Sequence, residues 1–199
     1  MKQKRIAAAN QLANSINGVI NGLDMSSSTR NRLAGAAYCI ALEHFDAIVI
    51  LLGLQRHAAA MALLRVEHEA FVFGHWIESC ASEAELNRLV DRNQKPKIDR
   101  MLRRIKESEL GDENSILNNA FSQNKKVYDG HAHADMIPIS HMIGDGWIGD
   151  SFAEDEIVES LDSAGCYALL AALGISRLVN DIALAKKFLD LSNSWTVPA

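Results

Sequence analysis

The sequence predicts an all-α fold, a bundle of five to seven helices with one long Gly-rich loop before the last helix, and three observations predict it. Hydrophobic residues make up 48 % of the 199 positions and charged residues 23 %, which excludes intrinsic disorder. Glycine and proline together number only 15, too few for the frequent turns of a sandwich or barrel. Apolar residues recur at three- and four-residue steps over most of the chain. The length suits a single domain over residues 1–199.

A first helix fits Lys4 to Leu23, with Ile6, Leu12, Ile16, Val19, Ile20 and Leu23 on its apolar side. The run Ser26 to Thr29 breaks it and supplies N-caps for a second helix, about Arg30 to Leu54. A turn near Gly53 and Arg56 precedes a third, reaching about Cys80. Ser82 and Glu85 form a capping-box pattern that opens a short helix to about Arg92. Pro96 starts the next, Lys97 to Glu109, and after Gly111-Asp112 another is expected over Glu113 to Tyr128. Residues 129–150 hold Gly130, Gly144, Gly146 and Gly149 and read as the one long irregular segment, a length that is often functional. One final helix is expected from Ser151 or Ala153 to about Leu191, its N-terminal turn carrying Glu154, Asp155 and Glu156. Helices two, three and the last should form the core.

Three distant cysteines, Cys39, Cys80 and Cys166, without a Cys-x-x-Cys pair fit a reducing compartment, so a cytoplasmic location is expected. The apolar run Ala34–Leu54 contains Glu43, His44 and Asp46 and reads as a buried helix, not a membrane span. Charge is uneven. Residues 88–106 hold eight basic and two acidic side chains, a balance of +6 that leaves −11 for the rest.

Helix three places Arg65, His68, Glu69, Val72, His75 and Trp76 on one stripe. Because Leu63, Leu64, Phe71 and Phe73 surround it, Arg65 and Glu69 are expected to be largely buried and paired, since a buried charge without a partner costs several kcal/mol. Arg65 and Glu69, with His133, are the catalytic candidates if there is a reaction. His68, His75, Asp129, His131 and His141 are candidate ligand-binding residues, and the loop is expected to bring His133 close to Glu69. The His131-Ala132-His133 pattern looks like the metal motif of amidohydrolases, but that motif belongs to a barrel of ~250 residues and eight strands. His131, His133, His141 and an aspartate have ligand chemistry adequate for zinc, yet the spacing alone is weak, so packing or capping histidines are expected and neither metal nor cofactor. Gly144-Asp145-Gly146-Trp147-Ile148-Gly149 matches the dinucleotide fingerprint only in letters, lacking the strand before and helix within. On the basic helix Lys97, Arg100, Arg103 and Arg104 are candidate nucleic-acid contacts, against the simpler reading of a solvated face.

Three segments carry a resemblance: Ala62-Leu63-Leu64-Arg65 with Glu69 and Trp76; Asp129-Gly130 with His133; and Ser151-Phe152 with Glu154, Glu156 and Ile157. Together they resemble an uncharacterised bacterial family of all-helical proteins and, more remotely, the HEPN-type helical domains of toxin and phage-defence systems. The loop departs from the first family's pattern at Asp129 and Asp135, where Asn and Gly are usual. HEPN ribonucleases generally carry Arg-x(4 to 6)-His, a spacing absent here. The resemblance therefore implies two alternatives. One is a non-enzymatic bundle acting through a partner protein, a homo-oligomer or a small polar ligand. The other is a HEPN-like ribonuclease or RNA binder, with His133 as acid or base and Arg65 stabilising the phosphorane.

Overall fold

The computed structural model describes residues 1–25, 28–108, 130–131, 136–144 and 147–196. Among them are eight helices, one more than the upper bound expected: α1 (Lys2–Ile20), α2 (Thr29–Gly53), α3 (His57–Ser79), α4 (Glu83–Arg92), α5 (Ile98–Ser108), α6 (Met136–Ser140), α7 (Glu154–Leu178) and α8 (Ile182–Thr196). The expected helix over 113–128 lies outside the described residues, as do Asp129 and His133.

The local signals act as physical chemistry requires. Ser28 Oγ accepts the Asn31 N–H at 3.2 Å and starts α2. Ser82 and Glu85 close the capping box of α4, and the left-handed Asn93 (φ 50°) ends it. The expected single last helix is two helices. Asn180 is left-handed at φ 58°, the Asp181 N–H bonds back to the Ser176 carbonyl, and the Asp181 carboxylate caps the Leu184 N–H at 2.9 Å. The apolar spacing runs on through Leu178 and Leu184, so periodicity alone does not reveal this break.

Helices α2, α3 and α7 are the core, with α1, α5 and α8 packed around them. The described part of the 129–150 segment holds α6 and a two-residue antiparallel ladder, Ile143–Gly144 against Trp147–Ile148. At the centre the Tyr38 ring of α2 is clasped by two helical glycines. A Cβ at Gly74 would lie 2.8 Å from its ring, and one at Gly174 2.4 Å, so only glycine lets α3 and α7 approach this closely. Helices α2 and α7 are long and apolar enough to cross a bilayer by length and composition, and about half of each such stretch is buried in the bundle.

Candidate functional site

The structure puts the described candidate residues in distinct places. Arg65 donates to Glu69 at 3.0 Å, as expected for positions four apart. Their side chains are 24 % and 28 % exposed, however, so this is a half-buried pair at the margin of α3 and not a charge sealed in the core. Of the apolar neighbours that suggested burial, Leu64 and Phe71 face inward, while Leu63 and Phe73 are themselves only half-buried.

The described candidate histidines divide into two groups. His68 is fully buried with its ring 5.2 Å from that of Tyr167, and His75 stacks on Phe71 at 6.0 Å. His131 and His141 instead gather near the start of α7, where their rings lie 6.2 and 4.2 Å from Phe152. There they are joined by His57, whose Nδ1 bonds the Asp150 carboxylate, and His141 Nε2 sits 3.7 Å from Glu156. His57 and His75 stand eighteen residues apart on one helix, about 27 Å at 1.5 Å per residue. The four described candidates, His68, His75, His131 and His141, therefore do not converge on one centre. Among the described residues no three potential ligands are grouped to hold a metal ion. The expected approach of His133 to Glu69 lies outside the described residues.

The basic helix is partly engaged within the molecule. Arg100 and Arg104 reach Glu85 at 3.2 and 3.5 Å, and Arg104 also donates to the Cys80 carbonyl at 3.0 Å. Lys97 and Arg103 are exposed. A small cleft of about 170 Å³ lined by Glu85, Arg88, Lys95 and Arg100 lies beside them.

Three features were not expected. The first is a polar junction of the core helices. Tyr38 donates its hydroxyl to Glu78, and Arg177 clamps the same carboxylate with bonds of 2.7 and 2.9 Å. Burial alone would raise the Glu78 pKa; the His75 ring 3.9 Å away, Arg177 and Tyr38 outweigh it and hold the carboxyl at about 2. Burial and the neighbouring Glu78 push the Tyr38 phenol far upward. The only sequence signal was the spacing of His75 and Glu78, three apart.

The second is Glu67, completely buried, with neither carboxylate oxygen hydrogen-bonded among the described residues; burial raises its pKa well above the ordinary value. The third is the outer face of α2. Leu33, Ala36, Ile40, Glu43, Ala47, Ile50 and Leu54 follow one another by steps of three and four, and Ile40, Ile50 and Leu54 are 48, 60 and 65 % exposed. Val66 of α3 adds a fourth exposed branched side chain at 38 %. A shallow groove of about 440 Å³ runs between the two helices, lined by Ala37, Ala70 and Phe73 and also by the charged Glu69 and Lys95.

The arrangement defines a helical bundle whose described part offers a large apolar face and no assembled catalytic constellation. Residues 38–196 match the model of DUF6988, a family of unknown function, and the chain belongs to that family. Comparison with curated proteins and with solved structures finds no match.

Proposed function

We infer that this chain is a non-enzymatic binding module that works by packing the α2–α3 face against another polypeptide. The observation that carries the reading is the row of Ile40 and Ile50 on α2 and Leu54 at its C-cap, each about half or more exposed. Contiguous apolar surface of this kind costs solvation free energy when left in water, and it commonly marks an interaction site. Scattered candidate residues support the same reading. Arg65 and Glu69 neutralise one another, and His75 stands about 27 Å along α3 from His57, which lies with His131 and His141 around Phe152.

The HEPN-like ribonuclease alternative draws support from the basic segment, but two of its four arginine and lysine candidates are held by Glu85. A photo-reactive residue placed at position 50 in cells, with exposed Gln11 on α1 as control, tests the binding reading. A discrete adduct whose second polypeptide is identified by mass spectrometry is expected from position 50 alone. No adduct there, together with RNA cleavage by the wild type that His133→Ala abolishes, would overturn it.

A further inference from the structure

We propose that the cleft at the α4–α5 corner is a binding site for a dianionic phosphate group, taken as inorganic phosphate or as the phosphomonoester of a small organic molecule. The sequence concentrates eight basic side chains in residues 88–106, and the fold divides that stretch between two short helices joined over residues 93–97. Arg88 of α4, Lys95 of the connection and Arg100 of α5 thereby line one concavity of about 170 Å³, with Gln94 and Pro96 completing its wall. Such a space lies below the ~300 to 1,000 Å³ of pockets for drug-sized ligands and suits a single headgroup.

Two of the three cations are held in position. Lys95 Nζ sits over the Phe73 ring at 4.8 Å, and Arg100 donates to Glu85 Oε1 at 3.2 Å. Glu85 is fixed in turn, its other oxygen accepting the Ser82 N–H at 2.9 Å and the Ser82 hydroxyl at 3.0 Å. Donors ordered in advance lose little freedom on binding, which favours affinity. Among the described residues neither Arg88 nor Lys95 is paired with a carboxylate. Glu85 is the one acid in the lining, against three cations, so the cleft carries two uncompensated positive charges. A phosphomonoester above its second pKa of about 6 brings nearly two negative charges and three acceptor oxygens, enough to meet Arg88, Lys95 and Arg100 together. The arginines offer forked donors and the lysine a point charge, the two ways in which phosphate is held. A phosphodiester is a monoanion with two free oxygens and would leave one cation uncompensated, so a nucleic-acid backbone is the poorer fit.

The test follows backbone amide shifts of the full chain by NMR at about pH 8 and fixed ionic strength, with inorganic phosphate, phenyl phosphate and dimethyl phosphate as probes. Gln94, Lys95 and Arg100 should shift saturably with a midpoint near ~1 mM, and dimethyl phosphate should bind about ten-fold or more weakly. Lys186 and Lys187, an exposed pair on α8, should not move. Arg88→Gln/Lys95→Gln should abolish the shifts with unchanged circular dichroism, since both side chains are exposed. Lys97→Gln/Arg103→Gln removes as much charge outside the cleft and should leave the midpoint within about three-fold. A response to inorganic phosphate with phenyl phosphate shut out supports the free ion as the ligand, and a response to both supports an organic monoester. No saturation by ~10 mM overturns the proposal. So do equal losses in the two double variants, or a response to dimethyl phosphate or to a short RNA without terminal phosphates as strong as that to the monoester.

Discussion

The Tyr38 hydroxyl of α2 donates to the Glu78 carboxylate of α3, and Arg177 of α7 grips that same carboxylate, so one side chain ties together the three helices that make the core. Tyr38→Phe removes a hydrogen bond to an ionised acceptor and should cost about 1.5 to 3 kcal/mol in urea denaturation. Gly174→Ala should also destabilise, by about 1 to 3 kcal/mol, because its methyl would meet the Tyr38 ring at 2.4 Å. A neutral or stabilising Gly174→Ala would show that the ring is not clasped as described.

Stability should fall in acid through Glu78. Its pKa is about 2 in the folded chain against 4.5 for the free group, a depressed value, so its contribution is complete above about 4.5 and disappears as pH drops toward 2. The full difference is no more than about 3 kcal/mol. Comparing urea midpoints at pH 6 and pH 3 checks this. Glu78→Gln should be less stable than wild type at pH 6, and the gap should narrow at pH 3.

Glu67 has the opposite sign. Its folded pKa is raised, so the folded chain holds a proton that the unfolded chain releases, and stability declines as pH rises above the ordinary carboxyl value. Glu67→Met fills similar volume without an unpartnered buried carboxyl. It should stabilise the fold at pH 7 by about 1 to 3 kcal/mol, read as a higher melting temperature. A lower one would show that the carboxyl has a structural partner.

The basic side chains should separate in their effects. Substituting Lys97 and Arg103 with glutamine should leave the melting temperature unchanged, since both are exposed. Substituting Arg100 and Arg104 should lower stability by about 1 kcal/mol, because they hold Glu85 and the Cys80 carbonyl at the α4–α5 corner. Equal effects of the two pairs would contradict this division of labour.

Much of the fold was legible in the residues. The Ser28 cap, the Ser82/Glu85 box and the apolar spacing of α2 and α3 each specify their element locally. The break at Asn180 and Asp181 was hidden because the leucine spacing continues across it. The site was less legible because a helix assigns neighbours in sequence to different directions. Val66 and Glu67 are adjacent, yet one faces solvent and the other is sealed. Apolar character around most of α2 signalled burial, but composition does not tell burial within the chain from burial against another chain. The three- and four-residue spacing of its outer face was present in the sequence and acquires meaning only with the exposure of Ile40 and Ile50.

The most direct test of that face is the solvent accessibility of individual isoleucine methyls, measured by NMR with a soluble paramagnetic agent before and after adding the polypeptide captured at position 50. Ile182, which is 87 % exposed at the start of α8, is the internal standard. The account predicts that the Ile40 and Ile50 methyls become shielded when that polypeptide is added while Ile182 stays fully relaxed. Ile40 and Ile50 methyls that stay as open to the agent after the addition as before it would contradict an α2 face that works by packing against another polypeptide.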